Sequence, residues 1–217
     1  MVKVLAASSN SDSLGNKFRD KRFIFFKNAI KDFATPIRII DIGGTEKFWI
    51  NRNFHNNKNY DITLVNLKTL EVKSNNIKSI VGDATNLIQY KDRSFDIVFS
   101  NSVIEHVYSF ENQERMAREI LRLGKYHFVQ TPNKYFFIEP HFIFPFFQFL
   151  PFSIQLFLLT KTKLCRGRKW QKDFSLQYIK EIRLISKTEM KKLFPNSKLS
   201  FEKFYLMNKS FTAHNFN

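Results

Sequence analysis

Ile37-Arg38-Ile39-Ile40-Asp41-Ile42-Gly43-Gly44-Thr45 is the stretch whose reading decides the fold. Pro36 closes what precedes it, and the β-branched run that follows reads as a strand covered on both faces. Asp41 stands near the end of that strand, where burying an acid costs stability unless it has a partner. The two glycines after it permit a close backbone approach that a Cβ would obstruct. In an open parallel sheet, ligands sit beyond the carboxyl ends of the strands. An acid and a glycine turn at such an end therefore mark a place of binding.

Outward from this stretch the arrangement repeats. Ile62-Thr63-Leu64-Val65 reads as a second strand ending in Asn66-Leu67, and Ile77-Lys78-Ser79-Ile80-Val81 as a third ending in Gly82-Asp83-Ala84. A fourth, Phe95-Asp96-Ile97-Val98-Phe99-Ser100, ends in Asn101-Ser102 and is apolar on both sides, which suits the centre of a sheet. Tyr126-His127-Phe128-Val129-Gln130 is a fifth. Turns favour small and polar residues anyway, so each strand end alone is a weak signal; four in order at βαβ spacing are a strong one. Helix-length segments between the runs predict parallel strands joined by helical crossovers.

Before the first strand, Phe18, Phe23, Phe26, Ala29, Ile30 and Phe33 recur at helical spacing and predict an amphipathic helix over 16–33 with a basic outer face. Met116, Ile120 and Leu123 share a face of a helix at 111–123. A short helix at 188–194, capped by Thr188 and closed by Pro195, precedes two antiparallel strands at 201–206 and 211–216.

Composition bounds the reading. With 217 residues, 43% hydrophobic and 25% charged, the chain is long enough for one domain with a full core. Cys165 is the single cysteine, which excludes an internal disulfide and a cysteine-based zinc cluster; no metal site is expected. The start, Met1-Val2-Lys3-Val4-Leu5-Ala6-Ala7-Ser8, lacks the apolar core of a signal peptide, so a cytoplasmic location is expected. The net charge of +16 falls at the two ends and leaves the middle neutral. It is densest over 161–172, with Lys161, Lys163, Arg166, Arg168, Lys169 and Lys172. Such a patch attracts nucleic acid, anionic lipid or a phosphorylated substrate, or is a solvated face.

Over about 37–132 the sequence resembles the class I S-adenosylmethionine-dependent methyltransferases, in particular the methyltransferase type 11 group. Asp41, Gly43, Gly44 and Thr45 match that family's first acid and glycine turn, and Asp83-Ala84 its acid and small residue after the third strand. The best single match is Ser94-Phe95-Asp96-Ile97-Val98-Phe99-Ser100-Asn101-Ser102-Val103-Ile104-Glu105-His106-Val107. The resemblance implies a Rossmann-like three-layer α/β/α sandwich with a mostly parallel seven-stranded sheet, and S-adenosylmethionine as cofactor. It implies cofactor contacts from Asp41, Gly43, Gly44, Thr45, Asn66, Leu67, Asp83, Ala84, Ser100 and Asn101. Two departures stand out. The later glycines of the family turn are replaced by Thr45, Glu46 and Lys47, and Asn66 stands where the family has a ribose-binding acid.

The whole chain, 1–217, then reads as a single methyltransferase domain, with 1–15 flexible, 37–132 the cofactor-binding core and 133–187 an acceptor-binding or lid region. In the last of these, Tyr135, Glu139 and His141 are the expected substrate contacts. A hydroxyl acceptor benefits from a base near neutral pKa, and His141 and His106 are the candidates. The plain alternative is that Glu139-Pro140-His141 shapes a turn and His106 packs on the sheet.

The apolar insertion after strand five, 142–160, opens on Phe142, closes on Thr160 and carries no charge, but Pro145, Pro151, Gln148 and Gln155 argue against a simple membrane span. It reads as a lid, as an interfacial element beside the basic patch that touches the inner face of a membrane, or as a dimer surface. A small-molecule, sugar or lipid-linked acceptor is the leading expectation. An RNA acceptor, or a non-enzymatic partner protein with a relic site, are the alternatives. The oligomeric state and the acceptor's identity are not written in the sequence.

Overall fold

A computed structural model of the protein describes residues 14–217. The expected flexible start, 1–15, falls almost wholly outside the described residues. The chain order is α1 (Leu14–Ala29), β1 (Ile37–Ile42), α2 (Glu46–Ile50), β2 (Tyr60–Asn66), β3 (Ile77–Val81), β4 (Phe95–Asn101), α3 (Phe110–Leu123) and β5 (Gly124–Pro132). Then follow the short strands β6 (Ile138–Glu139) and β7 (Phe144–Pro145), α4 (Phe152–Lys161), α5 (Lys172–Glu181), α6 (Lys187–Leu193), β8 (Lys198–Phe204) and β9 (Met207–His214).

Seven strands form one sheet in the order β3-β2-β1-β4-β5-β9-β8. β1 to β5 run parallel, while β9 is antiparallel to β5 and β8 to β9. β4 lies at the centre, as its two apolar faces require. Helices cover both faces, which gives the expected three-layer Rossmann-like sandwich. On one face Phe23 and Phe26 of α1, Ile30 just after it and Trp49 of α2 pack against Ile39, Ile62, Leu64, Ile97, Phe99 and Phe128. On the other, Met116, Ala117, Ile120 and Leu123 of α3 and Met190 and Leu193 of α6 cover Ile40, Ile42, Val98 and Val129.

Three expectations are corrected. The segments 67–76 and 82–94 form no helix. Their backbone groups are met by side chains instead: Glu46 Oε1 accepts from the Lys73 and Ser74 amides at 2.8 and 2.7 Å, and Arg122 donates to the Tyr90 and Leu87 carbonyls. α6 is capped by Ser186, not Thr188. Ser186 Oγ accepts from the Glu189 amide at 3.2 Å while Glu189 accepts from the Ser186 amide at 2.8 Å, a reciprocal capping box. On α1, Lys17, Lys21 and Lys27 stand exposed on the outer face, while Arg22 points inward with a side chain only 11% exposed. The final strands begin earlier than expected, at Lys198 and Met207, since the turn between them falls at Tyr205-Leu206.

The region 133–187 holds a small core of its own, in which Phe142, Phe147, Leu159, Cys165 and Trp170 are buried together. α5, which periodicity did not reveal, closes it through Tyr178 and Ile179. No helix among the described residues is long and apolar enough to cross a membrane.

Candidate functional site

The carboxyl ends of β1 to β4 open into two recesses that share Gly43. One, of about 600 Å³, is lined by Gly43, Val65, Asn66, Leu67, Asp83, Ala84 and His106 among others. The other, of about 680 Å³, is lined by Arg19, Asp41, Gly43, Gly44, Thr45 and Asn101. Glycine is required at the turn for two reasons. Gly43 has φ +76, and a Cβ there would lie 2.5 Å from Val103 Cγ2. A Cβ on Gly44 would lie 1.7 Å from Asp41 Oδ2. The acid and the bare backbone thus form one cradle.

Asp41 is buried, and the partner that its burial demands is Trp49, whose Nε1 donates to Oδ2 at 2.8 Å. Loss of solvent raises its carboxyl pKa to about 8, partly offset by that hydrogen bond. Asn66 Nδ2 donates to the Gly44 carbonyl at 2.9 Å and so braces the turn from β2. Asp83 Oδ1 accepts from the amide and the hydroxyl of Thr85, both at 2.8 Å, which fixes the turn after β3. Leu67 stands 77% exposed at the rim. Ser100 is buried, and its Oγ donates to the Ile42 carbonyl at 3.4 Å, tying β4 to β1 rather than facing a recess. Asn101 Oδ1 accepts from Arg22 Nη1 at 2.6 Å.

A third cavity, of about 190 Å³, adjoins these and is lined by Arg19, Arg22, Glu105, His141, Arg166 and Lys209 among others. Its cations are organised: Arg22 Nη2 and Lys209 Nζ both reach Glu202, at 3.0 and 2.9 Å. Ser102, left-handed at φ 58, turns the chain after β4 so that the 3-10 turn Ile104–His106 comes back over the sheet end. Glu105 and His106 arrive on that turn, and His141 follows β6.

These groups form a chain of acids and imidazoles. Glu139 Oε1 meets His141 Nδ1 at 2.6 Å, His141 Nε2 lies 3.1 Å from His106 Nε2, and His106 Nδ1 meets Glu181 Oε1 at 3.0 Å. Burial pulls the His141 pKa down, but the hydrogen bond and charge of Glu139 outweigh it and hold it above the usual value. Glu105 is buried without exposure, and burial raises its pKa against the pull of both histidines.

The structure therefore gathers Asp41, Gly43, Gly44, Thr45, Asn66, Leu67, Asp83, Ala84 and Asn101 around the two larger recesses. His141 lines the cationic cavity, and His106 lines the recess of Asp83 and Ala84 while touching His141. Glu139 sits behind His141, buried and also accepting from the Phe142 amide at 2.7 Å. Tyr135 is 58% exposed, stacks on Phe149 and lines none of these three cavities. Arg19, Arg22, Glu105, Glu181 and Lys209 were not anticipated. Only Glu105 carried a sequence signal, as an acid within an apolar stretch beside His106.

Residues 43–127 match the model of a methyltransferase domain. Among solved structures, the chain is similar to the CurJ carbon methyltransferase (13% identity, TM-score 0.56), covering 98% of this chain and 56% of that one. It is also similar to a protein of Rhodobacter sphaeroides described as a candidate zinc-dependent alcohol dehydrogenase (12%, TM-score 0.54, 87% of each chain). A candidate O-methyltransferase of Nostoc punctiforme matches at 12% identity and TM-score 0.52, over 94% of this chain and 58% of that one. At such identities the likeness is one of fold. No curated protein matches the sequence.

Proposed function

We propose that this chain, a class I methyltransferase in its fold and in the domain matched at residues 43–127, uses S-adenosylmethionine to methylate a small anionic acceptor. The reading is carried by one juxtaposition: a glycine-floored cradle for a nucleoside and amino acid adjoins a cavity walled by Arg19, Arg22, Arg166 and Lys209. S-adenosylmethionine, when bound, supplies an electrophilic methyl group on a sulfonium.

The two recesses that share Gly43, of about 680 and 600 Å³, offer that cofactor its room, and the glycines let Val103 and Asp41 close against the turn where a Cβ would collide with them. Asp83, Ala84 and Leu67, which line one recess, would hold the nucleoside end, and Asp41, Gly44, Thr45 and Asn101, which line the other, would hold the amino-acid end. Arg22, fixed between Asn101 and Glu202, spans from the cradle to the acceptor cavity, so both ligands are positioned against one rigid group. Holding two reactants in line supplies much of the acceleration of such a displacement. The proton of a hydroxyl acceptor would be lost at the Glu105, His106 and His141 cluster.

Calorimetric titration with S-adenosylhomocysteine tests the cofactor. Saturable binding by the wild type, weakened at least about tenfold in Asp41→Asn by loss of a charge-assisted hydrogen bond, is expected. A folded wild type that does not bind at millimolar ligand overturns the reading and favours a relic site.

One further observation bears on the acceptor. Phe146, Phe149, Phe152, Ile154, Phe157 and Leu164 are all exposed, beside the basic stretch 161–172. Aromatic and aliphatic side chains next to lysines and arginines suit the interface of an anionic bilayer. We therefore favour an acceptor carried at a membrane surface over an RNA acceptor.

A further inference from the structure

We propose that Glu105, His106 and His141 hold a divalent transition-metal ion beside the acceptor cavity. One ligand atom from each of the three lies within 4.8 Å of the others. The two imidazoles face one another through Nε2, 3.1 Å apart. Two nitrogens sharing one ion at about 2.0–2.1 Å each in tetrahedral geometry lie about 3.3–3.4 Å apart, so an opening of a few tenths of an ångström would admit the ion.

The outer contacts point the same way. Each histidine is held at Nδ1 by a separate carboxylate, His141 by Glu139 and His106 by Glu181. With both Nδ1–H groups donating, the Nε2 atoms of two neutral rings present lone pairs to each other, an arrangement that calls for either a proton or a metal ion between them. A carboxylate on the far nitrogen is the usual support for a metal-bound imidazole, fixing its tautomer and raising its basicity. Glu105 adds the independent observation. Its side chain is wholly buried, Oε2 accepts from Thr131 Oγ1 at 3.0 Å, and Oε1 has no hydrogen-bond partner. A buried carboxylate oxygen left unpaired is costly unless a ligand completes it.

Two imidazoles and one carboxylate select a transition ion such as Zn²⁺, Co²⁺, Mn²⁺ or Fe²⁺ over Mg²⁺ or Ca²⁺. Glu105 and His141 both line the acceptor cavity, so coordination positions left open would face it. There the ion would bind an acceptor oxygen and lower its pKa, which would take the place of direct proton removal by the three side chains. This role rests on the function proposed above; the site itself does not.

Equilibrium dialysis of chelator-treated protein against Zn²⁺, and absorption spectroscopy with Co²⁺, test the site without cofactor or acceptor. Uptake of about one ion per chain is expected, with the visible bands of tetrahedral or five-coordinate Co²⁺. Zn²⁺ should raise the unfolding temperature of the wild type. His106→Gln and His141→Gln should each abolish stoichiometric uptake, and Glu139→Gln should weaken it about 10–100-fold. Circular dichroism shows whether each variant is folded. Failure of the folded wild type to take up either ion at about 0.1 mM free metal overturns the proposal, well above the range of structural and catalytic sites. Uptake unchanged in the histidine variants overturns it equally. S-adenosylhomocysteine binding that survives while metal uptake fails would separate this inference from the methyltransferase reading.

Discussion

Asp41 and His127 are buried titratable groups whose pKa values move in opposite directions from ordinary water. Asp41 is held at about 8, so the folded state binds its proton more tightly than the unfolded chain does. Stability from this group is therefore full below the usual carboxyl range, falls as pH rises toward about 8, and is level beyond it. Asp41→Asn should flatten the decline in unfolding temperature from the usual carboxyl range up to about pH 8. A cofactor ammonium arriving at the cradle would favour the ionised form, so binding at pH 7 should release a proton. Calorimetry in buffers of different ionisation enthalpy reads this release, which should vanish in Asp41→Asn. His127 is the reverse case: burial, and His214 nearby, depress it to about 4. Its stability contribution is present above the usual histidine value near 6.5 and is lost as pH falls through about 4. The loss should reach roughly 3 kcal/mol by chemical denaturation, and His127→Gln should shrink it.

At the scale of elements, α6 gives the simplest test. Its capping box satisfies donors at both Ser186 and Glu189, and Ser186→Ala should cost about 1 kcal/mol of unfolding free energy while leaving cofactor binding intact. The box was legible in Ser186-Lys187-Thr188-Glu189, but the nearby Thr188 drew the cap two residues too late. β1 to β5 were legible because strands buried on both faces are continuous apolar runs, ended by residues that turns require. The crossovers at 67–76 and 82–94 were not. Their length fits a helix, and only Glu46, Glu119 and Arg122, distant in sequence, show why none is needed. α5 escaped for a related reason, since its buried face meets the insertion's own core and not the sheet.

For the whole molecule, the +16 charge and the exposed aromatic stretch at 146–157 act together. Sedimentation with vesicles rich in anionic lipid should carry the protein down at low salt, and less so as salt screens the basic stretch. The double variant Phe152→Ser, Phe157→Ser should reduce this at constant charge, with no loss of folding because both side chains are exposed. Binding to RNA with a steep salt dependence, and none to vesicles, would favour the RNA acceptor instead. The recesses proposed for the cofactor are lined by residues that follow their strands directly, which is why the sequence pointed to them. The acceptor side was not legible in this way. His106 and His141 are 35 residues apart, Glu181 is 75 from His106, and Glu202 is 180 from Arg22. Only the sheet order brings them together.

That order also gives the molecule a direction in time. β9 enters between β5 and β8 rather than adding at an edge, and Lys209 and Ser210 on it wall the acceptor cavity. A ribosome delivers the chain from its amino end at about 5–20 residues per second, so the cradle's residues emerge first. Until β9 emerges, β5 is an open sheet edge and the cavity has no far wall. A half-made chain could therefore shape its nucleoside pocket early, yet it would have nowhere to seat an acceptor until almost all of the described sequence had been synthesised.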